Sequence, residues 1–171
     1  MNRLSCPFII DIEASGFGDA SYPIEVGVAL DDGTKFCTLI SPEPDWTHWD
    51  DSAEKVHHVS RAMLTSHGKS VQEVAQQLNN LLNGKTLYSD GWVVDHPWLI
   101  RLFAAAGKAI AFHVSPLEII LSEAQMEIWH QTKDQVIAQL NLSRHRASND
   151  AWIIQETFRK TFAQVNNKQR N

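Results

Sequence analysis

The sequence predicts an α/β fold in which a mixed sheet is covered by helices, and three observations carry that prediction. Short runs rich in β-branched and aromatic residues open the chain, a hairpin signal joins two of them, and helical and strand-like segments alternate afterwards. At 171 residues one core suffices, because a chain of this length buries roughly two-thirds of the surface its unfolded form exposes. The expectation is a single domain over residues 1–165, with the last six residues, Asn166 to Asn171, forming a polar tail.

Phe8 to Glu13, Ile24 to Leu30 and Lys35 to Ile40 read as strands, and Asp31-Asp32-Gly33 turns the second into the third, which gives an antiparallel meander. Ser41 to Asp51 carries two prolines, two tryptophans and three aspartates and reads as a surface loop. In it Trp46 and Trp49 either cover the core or offer a stacking surface. Val71, Val74, Ala75, Leu78, Leu81 and Leu82 recur at three and four residues, the spacing of a helix, and Asn83-Gly84 stops it. Thr86 to Ser89 is a brief fourth strand. Pro97 fits the first turn of a helix through Trp98, Leu99, Leu102 and Phe103 to Gly107. Ala109 to Val114 is a fifth strand, and two helices follow, Ser122 to Leu140 and Ser148 to Val165, the last with Ile154, Phe158 and Phe162 at steps of four.

Composition narrows the function classes. The chain is 43% apolar and 20% charged, with no apolar run near the roughly 18 residues that cross a bilayer. Phe8-Ile9-Ile10 is too short for a signal peptide, so a cytoplasmic protein without membrane attachment is expected. Cys6 and Cys37 fall in strand-like segments outside any CxxC or Cys/His cluster, which reads as buried free thiols. A net charge of −5 argues against a broad basic surface for long duplex DNA. It becomes −1 once four carboxylates proposed below as metal ligands are set aside. The acidity then favours a short strand, or an end held at few phosphates.

Asp11 and Glu13 lie two residues apart in a segment that otherwise reads as a buried strand, so period two places both on one face. Carboxylates held close in a partly dry setting repel, and one takes up a proton unless a cation sits between them. Taken alone, the pair also reads as a strand-end cap, since Ala14-Ser15-Gly16 signals a turn. Asp95 falls near the start of a helix that follows a short strand, where the helix dipole tolerates negative charge. A plain N-cap is its simpler reading, and Asp90 in the preceding loop competes as a ligand. Asp150 falls in the first turn of the last helix, with His145 on the loop entering it; alone they read as a helix-start acid and a surface histidine. The conjunction is what a two-metal phosphodiester hydrolase needs: Asp11, Glu13, Asp95 and Asp150 as ligands and His145 as base. Hard oxygen donors suit two divalent cations, Mg²⁺ or Mn²⁺, rather than zinc. Such ions sit about 3.5 to 4 Å apart and clamp the attacking and leaving oxygens. A histidine, with an ordinary pKa near ~6.5, takes a proton from water at neutral pH.

The stretch Phe8-Ile9-Ile10-Asp11-Ile12-Glu13-Ala14-Ser15-Gly16-Phe17, followed by Ile24-Glu25-Val26-Gly27, resembles the first motif of the DnaQ-like 3′–5′ exonucleases of the DEDDh type. That group holds the proofreading subunits of DNA polymerases, RNase T and oligoribonuclease. Val94-Asp95 resembles the second motif and His145 to Asp150 the third, the histidine five residues before the aspartate matching the "h" branch. The resemblance implies a ribonuclease H-like five-stranded sheet and stepwise release of nucleoside 5′-monophosphates from the 3′ end of single-stranded or short RNA or DNA. It further implies that Asp11 bridges both metals, Glu13 and Asp150 hold the first, Asp95 reaches the second directly or through water, and His145 is the base. Gly16, Phe17 and His57 become substrate-contacting positions. Phe17 matches the hydrophobic wedge that packs on terminal bases, such stacking being worth about 1 to 3 kcal/mol per base, although it also reads as a core phenylalanine. His57-His58-Val59-Ser60 resembles the family's His-Gly-Ile segment with His58 where glycine is usual, and Ser89-Asp90-Gly91 stands where many relatives carry Ala-His-Asn. Several relatives pair, so the resemblance also implies a homodimer.

Two other readings stay open on the sequence. One is a nucleic-acid-binding or adaptor module that keeps the fold with little turnover, which the altered second-motif loop permits. The other is a hydrolase of dinucleotides or another small phosphodiester.

Overall fold

The opening strands form the meander that Asp31-Asp32-Gly33 predicts. In the computed structural model, which describes residues 6–168, β1 (Phe8–Ala14) pairs antiparallel with β2 (Pro23–Ala29), and β2 antiparallel with β3 (Lys35–Leu39). Two more strands, β4 (Thr86–Ser89) and β5 (His113–Pro116), add on the other side of β1, both parallel. The result is a mixed five-stranded sheet in the order β3-β2-β1-β4-β5. Six helices accompany it among the described residues: α1 (Asp51–His57), α2 (Arg61–His67), α3 (Val71–Leu82), α4 (Trp92–Ala106), α5 (Glu123–Leu140) and α6 (Ala147–Lys168). None is long and apolar enough to cross a membrane.

Strand alternation sends side chains to two different cores. Ile10 and Ile12 of β1 and Ile24, Val26 and Val28 of β2 pack with Val74, Leu78 and Leu82 of α3 and Leu99, Leu102 and Phe103 of α4. On the other face Ile9 and Ala29 meet Trp129 of α5 and Ala151, Ile154 and Phe158 of α6. Asp11 and Glu13 share the face of Ile9, by period two, and therefore look toward α6. The corresponding β2 residues are Glu25, Gly27 and Ala29, and a Cβ added at Gly27 would collide with the backbone of Ala147 and Ser148. The missing side chain lets the first turn of α6 rest on the sheet itself.

Several elements differ from the sequence reading. Helices α1 and α2 were not expected; each buries one residue, His57 and Leu64 respectively, so neither shows an apolar period. Their N-caps Asp50 and Ser60 supply the signal instead, accepting from the Ser52 and Met63 amides. Helix α4 begins at Trp92, five residues before Pro97, which therefore lies inside it rather than in its first turn. The added turn is fixed by Trp92, whose Nε1 donates to the Val114 carbonyl at 3.0 Å and whose ring stacks on His96. The fifth strand is His113–Pro116, not the more apolar Ala109 to Val114, because Phe112 and Ile110 pack on the core while His113 to Pro116 align with β4. Helix α6 runs through Lys168, into the expected tail, whose remainder lies outside the described residues. Trp46 is a core residue stacked on Tyr22. The cysteines are free, but Cys37 is exposed on the edge strand and Cys6 half-buried, so the expected burial fails.

The contact at Gly27 yields a direct prediction. Gly27→Ala forces α6 off the sheet and costs about 3 kcal/mol, the upper range for overpacking, because the obstruction is backbone. Urea denaturation of the variant beside the parent measures it; parental stability would show that the helix start yields freely.

Candidate active site

Three separate stretches of chain bring the expected residues together. Asp11, Glu13, Asp95, His145 and Asp150, together with Gly16, Phe17 and His57, all line one cleft of about 470 Å³. It opens at the carboxyl ends of β1 and β4, the usual place for a site in such a sheet. One ligand atom each of Glu13, His145 and Asp150 can be chosen so that all lie within 4.8 Å of one another. Asp95, 4% exposed, comes from the first turn of α4 and accepts a hydrogen bond from the Ser89 hydroxyl at 2.5 Å.

The loop entering α6 is held by two ion pairs on either side of the histidine. Arg146 donates to both carboxylate oxygens of the fully buried Glu25, which also accepts from the Ala147 amide at 3.0 Å. Arg144 Nε donates to Asp150 Oδ1 at 2.9 Å. Between them His145 adopts a left-handed backbone, φ 58, a conformation that costs a non-glycine residue on the order of 1 kcal/mol. Its amide donates to Asp150 Oδ2 at 3.1 Å, and its ring, 47% exposed, stands at the cleft mouth with Nδ1 4.0 Å from that oxygen. Backbone strain here turns one side chain of three toward the cleft.

The acids are electrostatically uncomfortable together. Burial first, then Asp95, Glu13 and Asp150, hold the Asp11 carboxyl well above the usual carboxylate range. Burial and then Asp150 push Glu13 up to about 7. Asp95 rises to about 7 as well, burial outweighing the Ser89 hydrogen bond that favours its charged form. Among the described residues none of these three pairs with a lysine or arginine within 4.0 Å. Asp150 does, with Arg144, and the competing ligand Asp90 turns instead to Lys133 of α5, at 2.6 Å. A set of hard oxygen donors converging without enough positive charge fits divalent cations, with Asp11, Glu13, Asp95 and Asp150 as the carboxylates that would hold them.

The other end of the cleft is apolar. Phe17 is 74% exposed, so it is not a core phenylalanine, and its ring tilts against Trp98 of α4 at 6.1 Å. It follows Gly16, where φ is 141 and an added Cβ would fall 2.7 Å from Asp50 Cβ. His57 is 2% exposed; its Nδ1 accepts from the Val59 amide at 3.1 Å, so its proton sits on the buried Nε2, near the Ala14 carbonyl. Burial lowers its pKa, leaving a neutral donor in the cleft wall.

Comparisons with known proteins address the fold. No protein-family model matches the sequence, nor does any curated protein. Solved structures do match. E. coli exonuclease I in complex with a 5cy-dA13 oligonucleotide superposes with TM-score 0.63 and 11% identity, over 90% of this chain and 40% of that one. The zinc-ion-bound form of an E. coli ExoI–ssDNA complex gives 0.63 and 11%, over 87% and 38%. A moderately thermophilic exonuclease I from Methylocaldum szegediense gives 0.56 and 9%, over 75% and 30%. The fold is the ribonuclease H-like one of exonuclease I. The chain spans 30 to 40% of the length of these exonuclease I chains.

Sequence reasoning missed four contributors. Glu25 was legible only as one charge inside an otherwise apolar strand, and its partner Arg146 as one of two arginines flanking His145. Ser89 showed only as part of a departure from the resembled motif, and Trp98 only as one apolar residue of a helix, so neither signalled its contact.

The electrostatics make stability depend on pH. Asp11, Glu13 and Asp95 bind protons more tightly folded than unfolded, so between about pH 4 and 7 the unfolded state holds fewer protons and stability falls as pH rises. In chelator, calorimetry should give a higher Tm at pH 5 than at pH 8, with Mn²⁺ raising the pH 8 value most and Glu13→Gln shrinking the difference. A flat metal-free profile would mean the carboxylates do not crowd one another.

Proposed function

We propose that this protein is a metal-dependent 3′–5′ exonuclease that releases nucleoside 5′-monophosphates from the end of single-stranded or short RNA or DNA. The observation that carries this reading is the single cleft: four carboxylates and an imidazole from distant stretches of chain at one end, an exposed aromatic wedge and a neutral histidine at the other. The dimensions suit one terminal nucleotide beside the acids. The shared fold, and the single-stranded oligonucleotides carried by the exonuclease I structures, support the same substrate class.

Two divalent cations, Mg²⁺ or Mn²⁺, would be held by Asp11, Glu13, Asp95 and Asp150 and would supply charge neutralisation at the scissile phosphate and activation of water. The chain's own residues do the rest. Phe17, backed by Trp98, stacks against the terminal base, which positions the nucleotide without reading its sequence. Gly16 keeps the backbone beneath the wedge free of a side chain. His57 lines the cleft as a neutral ring, which adds no charge to an already crowded site. His145 takes the proton of the attacking water as the new bond to phosphorus forms and the bond to the penultimate 3′-oxygen breaks. Its carboxylate neighbour Asp150 steadies the imidazolium that results.

Incubation with 5′-labelled and 3′-labelled oligonucleotides of RNA and DNA tests the proposal. A 5′-labelled strand should shorten one nucleotide at a time with Mg²⁺ or Mn²⁺ and stay intact in chelator. Asp11→Asn should abolish the ladder, and His145→Ala should slow it by about 10² to 10⁴, the usual contribution of a general base. Binding without products in every metal would favour an adaptor instead, and cleavage confined to dinucleotides a small phosphodiesterase.

A further inference from the structure

A second, smaller pocket lies behind the carboxylates. It holds about 200 Å³ and shares Asp11 and Asp150 with the main cleft, but its remaining polar lining is Asp90, Lys133 and Arg144. The main cleft has no lysine or arginine among its described lining residues. Across the two pockets the lining lysine and arginine are Lys133 and Arg144, each paired with a carboxylate.

Both cations keep donors to spare. Lys133 gives one hydrogen bond, to Asp90, and an ammonium has three N–H groups. Arg144 engages Asp150 through Nε only, which leaves its two terminal nitrogens for another acceptor. Their side chains are 24% and 36% exposed, so each is reachable from solvent yet partly desolvated, where a charge-assisted hydrogen bond is stronger than on an open surface. Beyond the Asp90–Lys133 pair lies a further cavity of about 270 Å³ walled by Trp129 and Met126, with room for the nucleoside that a bound phosphate carries.

We propose that Lys133 and Arg144 form a subsite for the backbone phosphate one nucleotide to the 5′ side of the scissile one. The proposal rests on the exonuclease reading for the direction of the strand. It accounts for how a chain of net charge −5 grips a polyanion: it places two donors beside the reacting phosphate instead of spreading a basic surface. It also assigns a role to the Lys133–Asp90 pair that tethers α5 to the β4–α4 loop, since that tether holds the ammonium at the pocket rim.

Length dependence separates this role from a structural one. A thymidine dinucleotide carries only the scissile phosphate, whereas the trinucleotide carries the next one as well. Affinities for both, measured by calorimetry with Ca²⁺ to hold the strand uncleaved, and kcat/KM for both with Mg²⁺, give trinucleotide-to-dinucleotide ratios. Lys133→Gln and Arg144→Gln should each lower those ratios about tenfold, the worth of one charge-assisted contact, while Lys133→Arg retains them. Each Gln variant should also reduce the salt slope of trinucleotide binding by about 0.7. Ratios equal to the parent's would overturn the subsite, whatever happens to overall stability, because a merely structural ion pair affects both ligands alike. If the parent cleaves neither ligand but the Ca²⁺ ratio still falls in the variants, the subsite stands and the exonuclease reading fails.

Discussion

The site depends on the docking of one helix start onto one strand. Helix α6 supplies Asp150, β1 supplies Asp11 and Glu13, and the seat that β2 offers, with the packing of α6 on Ile9, brings them together. Gly27 clears the space, and Glu25 fills the adjoining position with a carboxylate that accepts from the Ala147 amide and the Arg146 guanidinium. A fully buried acid is costly in isolation, and leaving it without its partner is worth roughly 3 to 5 kcal/mol against folding. Glu25 is tolerable only with α6 in place, so the cost of burying it becomes a geometric requirement. The same contact orders the loop before the helix, and with it His145.

A second tension sits beside the first and has the opposite character. Glu25 is satisfied by a guanidinium within the protein, whereas burial and mutual repulsion hold Asp11, Glu13 and Asp95 above the usual carboxylate range without such a partner among the described residues. A structural network would have been completed by a basic side chain, as Glu25 is by Arg146. Carboxyl groups whose charged forms are disfavoured by burial and by one another, gathered in one cleft, fit the donor set of a cation site.

Much of this was legible in the sequence, and the parts that were not share a cause. Period two along Phe8 to Glu13 and the three-and-four spacing from Val71 to Leu82 reflect burial on one face, and the elements appeared where they were expected. Helices α1 and α2 and strand β5 bury almost nothing of their own, so no apolar period betrays them; their existence is decided by caps and by pairing with β4. The acids announced themselves because a charge in an apolar strand is unusual, and the exposure of Phe17 removes the core reading in a way that residue type does not. Ser89 and Arg144 were invisible because their roles exist only as contacts with Asp95 and Asp150.

The departure at Ser89-Asp90-Gly91 illustrates how such contacts change a motif's meaning. By sequence alone the segment departs from the resembled motif's Ala-His-Asn and has no assigned contact. In the fold, the Ser89 hydroxyl donates to Asp95 and accepts from the Gly91 amide at 3.0 Å, which closes the turn and orients the acid at once. Asp90 meanwhile pairs with Lys133, which reaches across from α5 at the edge of the acid cluster.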